Sequence, residues 1–170
     1  MNKVGQFKKV SFTQFSKDMK KCFNKITDTQ IKESYDSIKL PARSTKGSAG
    51  YDFVSPISFS LKPCCTIKIP TGIKVKIDDG WFLACYPRSS LGFKYRCQLD
   101  NTVGIIDSDF YYSDGEGNIF IKMTNDCKQN KNIEIKQGDK FMQGIFQSFG
   151  ITYDDNADGI RNGGFGSTGK

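Results

Sequence analysis

An all-β domain carrying a short amino-terminal helical segment is what the sequence predicts, and three observations carry that prediction. Apolar residues alternate with polar ones at Ile57, Phe59 and Leu61 and again at Ile73, Val75 and Ile77, the two-residue period of a strand with one buried face. Turn-forming residues punctuate these runs at short intervals: Ser55-Pro56, Lys62-Pro63, Pro70-Thr71-Gly72, Asp78-Asp79-Gly80, Asp114-Gly115 and Gln137-Gly138-Asp139. Ahead of Leu40-Pro41 the apolar period is helical instead. Many short strands at this spacing fit a sandwich, a jelly roll or a barrel.

In chain order, Phe7 to Phe12 reads as a first short strand. From Thr13, the residues Phe15, Met19, Cys22, Phe23 and Ile26 fall on one helical face. Thr27-Asp-Thr-Gln has the pattern of a capping box, and Ile31, Tyr35 and Ile38 would line a second short helix. This stretch, about residues 13–37, is expected to be a packing appendage inserted in a single domain of residues 1–155. Trp81 to Tyr86 and Ile119 to Met123 are further strand candidates. Residues Asn156 to Lys170 are glycine-rich with little apolar content, and a mobile arm is expected there.

The 170 residues suffice for one domain with one core. No apolar stretch reaches the ~18 residues of a membrane span, and the amino terminus has no signal-peptide pattern, so a cytoplasmic chain without membrane partners is expected. The net charge of +7 favours anionic ligands. The lysines are scattered among acidic residues and form no basic track, which suits a small phosphorylated ligand and argues against a polynucleotide. The six cysteines, at 22, 64, 65, 85, 97 and 127, show no Cys-x-x-Cys spacing, and buried reduced thiols are expected. Histidine is absent. Ser-His-Asp and Cys-His triads and His-ligated zinc are thereby excluded, and catalysis must rest on carboxylates, arginines, main-chain groups and a hard cation.

Five clusters carry candidate chemistry. In Asn101-Thr-Val-Gly-Ile-Ile-Asp-Ser-Asp-Phe110, Gly104 admits close approach of main chain to a ligand, and Asp107 supplies a candidate general base where a hairpin would begin. Gly47-Ser-Ala-Gly-Tyr-Asp52 is a small-residue turn ending in a carboxylate. Pro87-Arg-Ser-Ser-Leu-Gly92 offers Arg88, two hydroxyls and turn amides to phosphate oxygens. Gly138-Asp-Lys-Phe-Met-Gln143 sets the amide of Gln143 in an apolar run, where it needs a partner. Arg161-Asn-Gly-Gly-Phe-Gly-Ser-Thr-Gly169 combines a glycine-rich phosphate cradle with Phe165, a ring suited to stacking on a base. It lacks the Gly-Lys-Ser/Thr of a Walker A loop.

Taken in order, Ala-Gly-Tyr-Asp, Arg-Ser-Ser, Asn-x-x-Gly-x-Ile-Asp, Gly-Asp-x-x-x-Gln and Arg-x-Gly-Gly-Phe-Gly-Ser-Thr-Gly resemble the five motifs of the trimeric all-β dUTPases, over roughly residues 38–170. The Phe110-Tyr-Tyr-Ser-Asp-Gly-Glu-Gly-Asn-Ile-Phe stretch is similar to a longer hairpin of bacterial and phage members. The resemblance implies a distorted jelly-roll or β-barrel fold, a homotrimer with shared sites, and hydrolysis of dUTP to dUMP and pyrophosphate with Mg²⁺. It implies that Asp107 activates the attacking water and that Asp52 meets the metal through water. Arg88, Ser89, Ser90 and Gln143 would hold phosphates. Asn101 and the main chain of Gly104 and Ile106 would read uracil, while Phe110 lies on the deoxyribose. Arg161 would clamp the γ-phosphate, with Phe165 over the base and Gly166, Ser167 and Thr168 along the phosphates. The chain departs from the family pattern in three places. Phe110 replaces a tyrosine, Arg161 stands one residue closer to the aromatic, and the Asp109 to Ile119 hairpin replaces Tyr-Arg-Gly-Glu. Two rivals stand beside this reading. A dCTP deaminase shares the fold, but would carry a glutamate in the hairpin and lack the Phe-Gly-Ser-Thr-Gly arm. A regulatory protein on the same scaffold, with a protein partner, is the other, as phage members suggest.

Overall fold

The computed structural model of the chain describes residues 2–159 together with Arg161 and Gly163. The first strand, β1 (Gly5–Lys9), is followed by two helices, α1 (Phe12–Cys22) and α2 (Asp28–Ser37). Six strands succeed them: β2 (Ala42–Arg43), β3 (Tyr51–Val54), β4 (Phe59–Leu61), β5 (Thr66–Pro70), β6 (Ile73–Ile77) and β7 (Trp81–Pro87). After a short helix α3 (Ser89–Tyr95) come β8 (Cys97–Leu99) and β9 (Gly104–Ile106), and then a 3₁₀ turn (Ser108–Tyr112). The strands β10 (Phe120–Asn125), β11 (Ile133–Ile135) and β12 (Lys140–Ser148) complete the order.

All strand pairs are antiparallel. A five-stranded sheet in the order β2-β3-β12-β7-β9 is joined by three smaller ones, β5-β10-β8, β1-β6 and β4-β11. Period-two burial holds where the sequence alternates: Ile73, Val75 and Ile77 are buried on β6. No helix of the described residues is long and apolar enough to cross a membrane.

The first strand ends earlier than the sequence suggests. Phe12 begins α1, because the Ser11 hydroxyl accepts from the Gln14 N–H and caps a helix there. The Thr27 capping box forms as its pattern indicates, with Thr27 and Gln30 bonding reciprocally. The two helices are not an appendage. Phe15, Met19 and Ile31 are fully buried in the same apolar cluster as Ile69, Ile73, Leu83 and Met123. Gly72, at φ +71°, lies beneath them, since a Cβ there would stand 2.4 Å from Ile38 and 3.0 Å from Phe15. The expectation of buried thiols holds for Cys85, Cys97 and Cys127. Cys64 and Cys65 are exposed, because they occupy the turn between β4 and β5 rather than a strand interior.

Candidate functional site

Two groups of side chains emerge, one at the carboxyl end of β7 and one along β9, which pairs with the middle of β7. The first is built on adjacent strands. Asp52 of β3 sits opposite Gln143 of β12, which sits opposite Tyr86 of β7, and Arg88 follows that strand directly. Asp52 is mostly buried and faces three donors: Lys140 Nζ at 2.8 Å, Ser44 Oγ at 2.6 Å and Arg88 Nε at 3.4 Å. Burial acts to raise the Asp52 carboxyl, but the bonds from Lys140 and Ser44 and the charge of Arg88 outweigh it and hold the group below the usual carboxylate range. The glycine of Ala-Gly-Tyr-Asp has a definite task, since a Cβ on Gly50 would come within 2.6 Å of Gln143 Oε1. An open cavity of about 600 Å³ adjoins this group, lined by Tyr86, Pro87, Arg88, Ser89, Gly92, Phe93, Gln143 and Ile145. Pro87 to Gly92 is not a plain turn: Ser89 and Ser90 are exposed in the first turn of α3, with Arg88 at its N-cap position.

The second group surrounds β9. The tight reversal lies before the strand rather than after it: Thr102, at φ +60°, donates its N–H to the Leu99 carbonyl and turns the chain between β8 and β9. Asn101, Gly104 and Ile106 line a cavity of about 280 Å³ together with Cys85, Leu99, Asp100, Lys68, Phe120, Ile121 and Lys122. Gly104 pairs with Cys85, and a Cβ at 104 would stand 3.2 Å from the Cys85 Cβ, tighter than ordinary packing. β9 ends its sheet, so alternate main-chain N–H and C=O groups face away from β7. Asp107 continues directly from β9 and leads into the 3₁₀ turn, in which Phe110 is buried.

Arg161 joins this second group. Its Nη2 donates to Asp107 Oδ2 at 2.5 Å, its guanidinium carbon lies 5.9 Å from the centre of the Phe110 ring, and its Nε is 2.9 Å from Asp109 Oδ1. That last contact is a charge pairing without hydrogen-bond alignment. The arginine therefore sits on carboxylates in the structure. Phe165, Gly166, Ser167 and Thr168 lie outside the described residues.

Within one chain the Asp107 end of the second group lies apart from Arg88 of the first. Ile106 pairs with Leu83, five residues before Arg88 on β7, which at ~3.3 Å per strand residue separates the Asp107 end from the arginine by roughly 16 Å.

Three contributors were not singled out in the sequence. Lys140 and Gln143 are three residues apart, which in a regular strand puts them on opposite faces. A bulge between Lys140 and Met142 resets the alternation, and the consecutive burial of Phe141 and Met142 records it. That pair of apolar residues was the available signal. Ser44 has no local signal, since it reaches Asp52 from the loop after β2. Asp109 stands two residues past Asp107, and its partner Arg161 is 52 residues further along the chain.

Comparison with known proteins gives a consistent picture. Residues 36–169 match the dUTPase family. The chain is 40% identical over 135 residues to the deoxyuridine 5'-triphosphate nucleotidohydrolase of Lactococcus lactis subsp. lactis (strain IL1403), covering 78% of this chain and 89% of that one. Among solved structures, the dUTPase of Streptococcus mutans superposes with a TM-score of 0.61 at 27% identity, over 86% of this chain and 97% of that one. A variant dUTPase from phage phi11 of S. aureus, which coordinates a structural Mg(II) ion, shares the fold at a TM-score of 0.64 and 18% identity, over 92% and 98% of the two chains.

Proposed function

We propose a division of labour for this chain, which belongs to the dUTPase family and is a dUTP diphosphatase: Asp107 is the general base, the β9 edge reads uracil, and the Arg88–Gln143 group holds the triphosphate. The observation that carries this is the continuity of Asn101 to Asp107. A pocket sized for a base is lined by Asn101, Gly104 and Ile106, and a carboxylate follows on the next residue. Uracil presents acceptor, donor and acceptor along its pairing edge, which main-chain N–H and C=O groups of Gly104 and Ile106, both lining the pocket, would match. Cytosine would leave buried polar groups unpaired, and a mismatch of that kind rejects by roughly 10⁴-fold. Phe110 supplies an apolar face to the deoxyribose.

Asp107 would take the proton of a water held in line with the α-phosphorus, positioning that supplies much of the rate in a chain without histidine. Arg161 occupies this carboxylate in the structure. It would transfer to the γ-phosphate when substrate enters, exchanging one anionic partner for another. Phe165 to Thr168 would close over the nucleotide with it.

Mg²⁺, carried on the triphosphate, would neutralise phosphate charge. The chain's residues do not fit it as inner ligands. Both Asp52 oxygens already face Lys140, Ser44 and Arg88, and no group of three or more acidic or thiol side chains gathers among the described residues. Asp52 would meet the metal only through water, and its main task is to hold Arg88 and Lys140 toward the phosphates. The distance between the Asp107 and Arg88 ends is bridged if a second copy supplies one of them, which supports a homotrimer with shared sites. Incubation with each nucleoside triphosphate and Mg²⁺ tests the reading. The expected result is dUMP and pyrophosphate from dUTP, with other triphosphates far slower; ammonia released from dCTP would overturn it.

A further inference from the structure

A polar network outside both groups ties the amino-terminal helices to the segment that follows Asp107. Glu116 and Gly117 are consecutive residues in the left-handed region, at φ +54° and +67°. Gly117 lies directly on the 3₁₀ turn: a Cβ there would stand 2.8 Å from the Phe110 carbonyl oxygen and 2.9 Å from the Tyr111 Cα. Any shift of the 113–118 turn is therefore passed to the backbone of residues 108–112, whose Phe110 N–H donates to the Asp107 carbonyl at 3.2 Å.

A glutamate at positive φ is sterically disfavoured and persists only where its surroundings hold it. Ser11, the N-cap of α1, does so twice: its N–H donates to Glu116 Oε2 at 2.9 Å and its hydroxyl to Oε1 at 2.6 Å. Lys74 Nζ lies 3.7 Å from the same carboxylate and 4.8 Å from the centre of the Tyr111 ring. At the other end of the turn, the buried Asn118 donates to the buried Asp18 of α1 at 2.7 Å and accepts from the Gly72 N–H at 3.0 Å.

We propose that Glu116, anchored by Ser11, is a positioning residue for dUTP hydrolysis: it fixes the turn that backs the Asp107–Tyr112 segment and thereby the aim of the Asp107 carboxylate. The proposal rests on Asp107 as the base. Glu116→Ala is expected to lower kcat about tenfold or more, as small misplacements of a reacting group do, with KM changed several-fold less than kcat, because the base pocket and phosphate group are untouched and only the Phe110 contact among the binding groups lies on the displaced segment. Glu116→Gln keeps an oxygen acceptor for Ser11 and should recover most of the loss. Thr27→Ala weakens the remote capping box of α2 and is the control: it should lower Tm and leave kcat unchanged. Ser11→Ala, which retains the main-chain donor, should give the same split with a smaller amplitude, and decides the matter if Glu116→Ala does not fold. An unchanged kcat in folded Glu116→Ala or Ser11→Ala overturns the proposal. So does a fall in kcat that Thr27→Ala reproduces at equal loss of Tm. Asp107→Asn, assayed alongside, separates the two claims: its full activity would overturn the base assignment, whereas its inactivity beside a fully active Glu116→Ala would overturn the positioning role alone.

Discussion

A single methyl group at position 50 would stand 2.6 Å from the Gln143 amide oxygen, so Gly50→Ala must displace that side chain. On the proposed role of Gln143 at the phosphates, losing that contact, about 1–3 kcal/mol, predicts a kcat/KM reduced roughly tenfold to a hundredfold with the fold intact; steady-state kinetics on dUTP check this. Asp107→Asn keeps size and one acceptor but cannot take a proton. Its kcat should fall about 10²–10⁴-fold while binding of a non-hydrolysable dUTP analogue persists, and single-turnover and binding measurements separate the two effects. Legibility at this scale follows from how local each contact is. Asp107, Gly104 and Asn101 lie within one stretch of chain: Asn101, Gly104 and Ile106 line one pocket, and Asp107 is the residue after Ile106. Lys140 is hidden by a bulge that breaks the strand period, and Ser44 by its origin in another segment.

Among the elements, the helical pair differs most from its sequence reading. The apolar stripe of Phe15 and Met19 was visible as a period, but a period does not say whether the face it makes covers a core or belongs to one. Their complete burial beside Ile69 and Ile73 settles that. Asp18 gave no signal either, because its buried partner, Asn118, is 100 residues away in sequence. Phe15→Ala is therefore expected to destabilise the protein by about 3–5 kcal/mol, the range for a buried aromatic removed from a packed core. Chemical denaturation measures this, and a loss below about 1 kcal/mol would return the helices to the status of an appendage. The strands were more legible than their connections. β6 and β7 lie where alternation and turn residues put them, whereas the stretch after Asp107 reads as a hairpin and forms a 3₁₀ turn, followed by a reversal at the left-handed Glu116 and Gly117.

For the whole molecule, charge and assembly make separate demands. Asp52 and Glu116 both titrate below their ordinary values of 3.8 and 4.5 in the folded chain. For Asp52, burial is outweighed by Lys140, Ser44 and Arg88; for Glu116, the Ser11 bonds dominate, with Lys74 assisting. A depressed folded value contributes stability that is complete above the unfolded value and is lost as pH falls through the folded one. Stability should accordingly hold from neutrality to about pH 5 and decline below about pH 4, with a shallower acid limb in Asp52→Asn; a pH series of denaturant midpoints tests it. On the proposed shared site, assembly would bear on the reaction itself, because Ile106, the residue before Asp107, pairs with Leu83, five residues before Arg88. Mixing Asp107→Asn with Arg88→Ala subunits tests this most directly. Each variant alone should be nearly inactive on dUTP. After dissociation and random reassembly, about a quarter of the sites should combine an intact Asp107 from one copy with an intact Arg88 from another, and dUMP production should return to that fraction of the native rate. Verified mixed assemblies that remain as inactive as their parents would contradict the shared site.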